Sequence, residues 1–195
     1  MSAALQQLHI EIQACRLCAE HLPLGPRPVV RPSAIAPILL IGQAPGTRVH
    51  ASGVPWDDAS GERLRDWLGV DRERFYDPRC FAIMPMGFCY PGRGRSGDLP
   101  PRPECAPRWH AALLQQMPGV RLRLLIGRYA IAGYGGGLAG DKLADQVRGQ
   151  SMQSDRLALP HPSPRNRLWL SRNPWFDRDT LPVLRTRIAA LLNSI

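Results

Sequence analysis

The chain has 195 residues, 44% of them hydrophobic and 21% charged, as expected of one globular domain whose core needs no disulfide scaffold. Its longest apolar runs are strand-sized, well short of the roughly 20 residues of a membrane span, and its first residues lack the basic and apolar segments of an export signal. A monomeric, cytoplasmic protein with no membrane partner is therefore expected. The formal net charge of +9 favours a polyanionic partner. Nearly all of that charge is arginine, with Lys142 the one lysine, a bias that genomic base composition also produces. The charge becomes informative only beside a site that needs a phosphate backbone.

Ser2 is placed to cap a first helix over 3–18, with Leu5, Leu8, Ile12 and Cys15 on one face. The Pro-rich stretch 22–37 reads as extended loop, because proline removes a donor and fixes the backbone. Residues 37–42 (PILLIG) read as a buried strand ending in the turn GQAPG. Ser60 is the expected cap of a helix that turns Leu64, Trp67 and Leu68 to the core and stops at Gly69. A second strand is predicted over 80–84, then a Pro/Gly-rich loop to Pro103 and a helix carrying Trp109, Leu113, Leu114 and Met117. Residues 121–127 (RLRLLIG) form a third strand that leads through Gly127 into a helix. A short fourth strand over 157–160 ends at HPSPRN, and a last helix over 180–192 buries Leu181, Leu184, Ile188 and Leu191. Strands alternating with helices predict a three-layer α/β/α sandwich around a short, mostly parallel four-stranded sheet. In such sheets ligands gather at the carboxyl ends of the strands, where both GQAPG and HPSPRN fall.

These two loops, Gly42 to Gly46 and His161 to Asn166, resemble the paired signature loops of the uracil-DNA glycosylase superfamily. The segment SGVPW, ending at Trp56, is similar to the Gly-x-Pro-aromatic stretch that follows the first loop in that superfamily. HPSPRN resembles the single-strand-selective branch, whereas the cysteines resemble the iron–sulfur branch. The resemblance implies an enzyme that hydrolyses the bond between a damaged base and its deoxyribose in DNA.

The residue types suit that chemistry. The departing base is anionic, so the site must offer donors to its oxygens. A tight Gly/Pro turn does this with backbone N–H groups. Gln43 and Ala44 are the candidate donors, while Gly42, Pro45 and Gly46 shape a close approach to the base. His161 is the candidate side-chain donor, with a packed loop histidine as the alternative. Pro162, Ser163, Pro164 and Arg165 are candidates for gripping DNA phosphates, which gives the positive charge a job. Asn166 joins the base-binding set. Trp56 is the natural stacking platform for a flipped base, or else a core residue.

Two departures from the family pattern stand out. The first loop carries Ala44 where many relatives place an acidic residue or Asn to hold water; the iron–sulfur branch also has Ala there. Asp57 and Asp58 are the alternative water-holders, or else loop carboxylates or helix caps. The Asn that usually reads the uracil edge near the end of the second strand is absent, the local sequence being Met84-Pro85-Met86. Base preference therefore stays open between uracil and another deaminated base such as hypoxanthine or xanthine. A glycosylase-like nucleic-acid-binding protein without turnover is the reading from a different class. Neither loop holds a lysine, so a Schiff-base lyase step is not expected.

Five cysteines without an export signal argue against disulfides. Cys15 and Cys18, with Cys89 and Cys105 around a loop rich in Pro and Arg, resemble the four-cysteine ligand set of the iron–sulfur branch. The resemblance implies a 4Fe–4S cluster of structural role. By spacing alone, thiolates suit zinc as well, or simply remain free. Cys80 reads as a small buried hydrophobe. GYGGGLAG (133–140) lacks the Gly-Lys-Ser/Thr ending of a phosphate loop and reads as a flexible turn. Trp169, Trp175 and Phe176 either wedge DNA or close the core.

Overall fold

The computed structural model describes residues 2–95, 97–136, 138, 140 and 142–194. Its strands are β1 (Ile38–Ile41), β2 (Phe81–Ile83), β3 (Arg93–Gly94), β4 (Gly97–Asp98), β5 (Leu122–Ile126) and β6 (Arg156–Leu159). Its helices are α1 (Ala3–Gln13), α2 (Thr47–Ser52), α3 (Ala59–Leu68), α4 (Arg72–Tyr76), α5 (Cys105–Gln115), α6 (Arg128–Tyr134), α7 (Leu143–Gly149), α8 (Arg167–Arg172) and α9 (Leu181–Leu192). Four strands form one all-parallel sheet in the order β2-β1-β5-β6, the middle layer of a three-layer α/β/α sandwich. β3 and β4 pair separately as a small antiparallel hairpin inside the Pro/Gly-rich loop. Every residue of β1 is buried, as a strand covered on both faces requires. Helix α1 packs on α5, α3 on α9, and α6 on β5.

The strand order explains where a ligand can sit. β1 has β2 on one side and β5 on the other, so the chain reverses its direction of travel across the sheet at β1. A crevice opens at the carboxyl ends of strands at such a switch point. Both sheet edges are covered. The extended Pro-rich stretch lies along β2, where Arg31 and Ile83 exchange backbone hydrogen bonds of 2.9 and 2.8 Å. Along β6, the Gln150 amide donates to the Ala158 carbonyl (3.0 Å) and accepts from its N–H (2.6 Å), as a neighbouring strand would.

Several boundaries differ from those the sequence predicts. Helix α1 stops at Gln13, because the Cys15 N–H turns back to the Ile12 carbonyl in a tight last turn, so Cys15 and Cys18 lie beyond the helix. Ser2 does cap it, accepting from the Leu5 N–H at 3.2 Å. The cap of α3 is Asp58 and not Ser60: the Asp58 backbone is extended and its carboxylate accepts from the Gly61 N–H at 2.9 Å. Met117 is buried but lies past the end of α5. In α9, Leu192 is buried and Leu191 only partly so. The short helices α2, α4, α7 and α8 and the hairpin were not predicted, since five to seven residues carry too little apolar periodicity to register. Gly133 and Tyr134 belong to α6, while Gly137 and Ala139 of the glycine-rich stretch lie outside the described residues.

The aromatic residues after HPSPRN close the core. Phe176 is fully buried, edge-on to Trp67 at 4.9 Å, with Trp169 and Trp175 packed around it. Cys80 is buried at the start of β2, as its sequence context suggests.

His110 on α5 carries no motif, yet it is buried at the centre of a polar relay. Its ring stacks against Phe88 and Tyr134. The Pro85 carbonyl, 3.1 Å from Nε2, can only accept, so Nε2 bears the hydrogen and Nδ1 accepts from the Tyr134 hydroxyl at 2.6 Å. Burial pushes the His110 pKa down to about 4. Between that value and the ordinary 6.5, the unfolded chain binds a proton that the folded chain rejects. Stability is therefore expected to fall by about 3 kcal/mol as pH drops across that window. His110→Gln, which keeps a donor for Pro85 without titrating, should flatten the acid limb; urea titrations from pH 7 to 4 check this.

Candidate active site

Four segments from the carboxyl ends of the strands enclose a cavity of about 590 Å³. They are the GQAPG turn after β1, the Pro55–Asp58 segment, Gly127 after β5, and the His161 loop after β6. The β3–β4 hairpin adds Gly97 and Asp98 at the mouth. The size fits a nucleobase with part of its sugar.

The first loop is held by its carbonyls, which leaves its amides available. Gly42 and Gln43 accept from the Met86 and Gly87 N–H groups at 2.9 and 3.0 Å. Among the described residues the amides of Gln43 and Ala44 have no protein acceptor, and both residues line the cavity with Pro45 and Gly46. The Gln43 side chain is tied outward to the Leu99 carbonyl (3.3 Å).

Gly42 has no room for a side chain, since a methyl there would stand 2.7 Å from Trp56 Cζ2. The Trp56 indole thus lies against the first loop, and its ring centroid is 5.7 Å from that of His161. Trp56 is half-buried and borders the cavity. Its carbonyl backs onto α3, where a methyl on Gly61 would come within 1.8 Å of the oxygen.

The two aspartates after Trp56 have parted company. Asp57 faces outward to Arg72 at 2.8 Å, and that hydrogen bond holds its carboxyl below the usual range. Asp58 faces inward: it lines the cavity, caps α3, and acts electrostatically on His161. Moving the cap to Asp58 also leaves Ser60 lining the cavity.

His161 receives a hydrogen bond at Nδ1 from the Ser163 N–H (3.2 Å), so the neutral ring carries its hydrogen on Nε2. Burial lowers its pKa, and the Asp58 carboxylate opposes that only in part. The ring is therefore neutral at pH 7, a donor without a full charge. Gly127, at φ 82°, allows β5 to approach it: a methyl there would lie 3.2 Å from His161 Cβ. Asn166 lines the cavity and holds the loop from within, its amide donating to the His161 carbonyl at 2.7 Å. Arg63 of α3 donates to the Pro162 and Ser163 carbonyls (3.2 and 3.4 Å).

Pro162 is buried and shapes the loop, while Pro164 and Arg165 are exposed at the mouth and Ser163 lies partly exposed between them. The Arg165 guanidinium packs on Gly97 of the hairpin, where any side chain would collide with it. Arg63, Gly127, Arg128 and Asp98 escaped the sequence-based site. Gly127 alone left a visible signal, a glycine between a strand and a helix.

Away from this cavity, Cys15, Cys18, Cys89 and Cys105 all line a second, small, apolar pocket. Phe88 N–H donates to Cys105 Sγ at 3.3 Å. Burial, reinforced by the neighbouring thiols, pushes Cys89 up to about 11 and Cys105 to about 12. Among the described residues, no three metal-ligating side chains are gathered closely enough to hold a metal ion.

The contact between Gly61 and Trp56 yields a prediction of unusual sign. Gly→Ala inside a helix ordinarily stabilises by up to about 1 kcal/mol. Gly61→Ala should instead lower the melting temperature, because the new methyl meets backbone. Thermal unfolding of the variant beside wild type checks this; an increase would mean that the segment moves aside freely.

A family model described as the uracil DNA glycosylase superfamily matches residues 31–185 of the 195. The matched region contains the whole parallel sheet, both signature loops, Trp56 and the hairpin, and leaves out α1 with Cys15 and Cys18. No helix among the described residues is long and apolar enough to cross a membrane. With its match spanning most of the chain and its glycine turn and histidine loop facing one cavity, the protein belongs to the uracil DNA glycosylase superfamily, whose members act on DNA as base-excising hydrolases.

Proposed function

We propose that the protein is a monofunctional DNA glycosylase that hydrolyses the N-glycosidic bond of uracil or another deaminated base. One observation carries this reading. A neutral His161 with its hydrogen on Nε2 and the amides of Gln43 and Ala44, which have no acceptor among the described residues, border one cavity beside a half-buried Trp56. In the reaction the bond between C1′ and the base nitrogen breaks, the base leaves with the electron pair, and water adds its oxygen to C1′ and yields a proton. Donors aimed at the base oxygens stabilise the charge that develops on it. A neutral imidazole supplies such a donor without gripping the anionic product as an imidazolium would.

Asp58 is the residue we assign to the water. It lines the cavity, whereas Asp57 is bound to Arg72 at the surface. The cation-rich rim, Arg128 and Arg165, suits the phosphates of a flipped or single-stranded nucleotide. Lys142, the one lysine, is exposed and does not line the cavity, which supports hydrolysis without a lyase step. The cavity volume admits a purine as readily as uracil, so hypoxanthine and xanthine belong in the substrate panel.

The cysteine pocket fits a 4Fe–4S cluster in donor type, number and convergence, with Cys15, Cys18, Cys89 and Cys105 as ligands. When bound, the cluster would cross-link the segment after α1 to Cys89 and to Cys105, the first residue of α5. Cys89 and Cys105, protonated when free, must lose protons to ligate, so loading should weaken as pH falls. Anaerobically prepared protein should contain about four irons and absorb broadly near ~400 nm; one equivalent of zinc, or no metal, would count against the cluster.

Oligonucleotides carrying single uracil, hypoxanthine or xanthine should acquire an alkali-sensitive abasic site, with no strand break before alkali. Complete inactivity of folded, metal-replete protein on the panel would leave DNA binding without turnover as the better reading. His161→Ala should slow single-turnover excision by about 10²–10³, or about 3–4 kcal/mol, while DNA affinity and melting temperature barely change. Asp58→Asn, which can still cap α3, should lower the rate by at least about tenfold; Asp57→Asn should leave it within about twofold.

A further inference from the structure

Among the described residues, Trp56 is the sole non-glycine residue with positive φ, at 59°. A bulky side chain is strained in that region, and the conformation persists only where its surroundings over-determine it. Several contacts do so. The Tyr76 hydroxyl donates to the Pro55 carbonyl at 2.7 Å, Arg72 holds Asp57, and the Trp56 carbonyl occupies the space that a side chain at Gly61 would take.

Arg65 is a restraint of a different kind. It lies on α3 and is only 8% exposed, yet no carboxylate stands at ion-pairing distance among the described residues. Its Nη1 donates to the Trp56 carbonyl at 3.3 Å, and its guanidinium sits 5.5 Å from the centre of the buried Phe75 ring. Withdrawing a cation from water without a counter-ion is costly, and the ring contact offsets only part of that. An apolar side chain of similar length would fill the same space at lower cost. The unpaired cation must therefore be explained by what it touches.

We infer that Arg65 is a positioning residue for the base platform, an assignment that rests on reading the cavity as a base-excision site. The carbonyl it grips belongs to the peptide plane between Trp56 and Asp57. Fixing that plane fixes ψ of Trp56 and φ of Asp57 together. The indole is thereby kept against Gly42 and beside His161, and the chain is delivered to Asp58 with its carboxylate inward. Arg65 does not line the cavity and touches no reacting atom.

The test compares Arg65→Met, which removes the charge and keeps the stem, with Arg65→Lys, which keeps a charged donor. In Arg65→Met the indole N–H resonance of Trp56, assigned by its loss in Trp56→Phe, should shift. Single-turnover excision should fall by about ten- to a hundredfold, while the melting temperature holds or rises. Arg65→Lys should recover part of both the resonance position and the rate. An unshifted Trp56 resonance in folded Arg65→Met protein overturns the assignment, whatever the melting temperature does. If Arg65→Met does not fold, Arg65→Ala is read in the same way. The resonance requires no turnover, so it decides the role of Arg65 even if no base is released. A shifted resonance without excision by wild type would count against the proposed reaction alone.

Discussion

The common register of β1, β5 and β6 is the constraint on which the site depends. Ile41 stands opposite Leu125, and Ile126 opposite Leu159, so the three strands finish nearly level. Gly42, Gly127 and His161 therefore emerge side by side. A slip of one residue in either pairing would turn alternate side chains to the other face and carry the histidine away from the glycine turn. Gly127 then allows contact, since its bare α-carbon lets β5 lie against the His161 ring. The strands that hold this register are composed mostly of buried Leu and Ile.

The charge of the molecule and the charge of the cavity are arranged separately. A net +9 spread over arginines acts at long range on a polyanion and is weakened by salt. Inside, burial holds the histidine neutral, and the available donors are amides. The inward carboxylate of Asp58 gives the cavity an acceptor, while Asp57, one residue earlier, is neutralised by Arg72.

Sequence carried the fold and the two signature loops because their signals are local. Each strand is a short apolar run closed by glycine or proline, and each loop follows directly. The remainder of the site depends on contacts across long separations. Arg63 reaches Pro162 across 99 residues and His110 reaches Pro85 across 25, and neither pair has a local pattern. Adjacent acids such as Asp57 and Asp58 are equivalent until Arg72 engages one of them. The four cysteines, two on each side of the sheet's first half in sequence, do line one pocket. Their grouping was legible only through resemblance, because the helix expected to carry the first pair ends before it.

The Gln150 amide on the outer side of β6 bears on how this protein behaves at high concentration. A parallel sheet with a bare edge is a template on which another chain can continue the ladder. One side chain here occupies both the donor and the acceptor of Ala158, the central hydrogen-bonding position of a four-residue strand. What remains of the edge is too short to recruit a foreign strand in register. Protection of this edge thus rests on a single uncharged residue that is not among those lining the cavity.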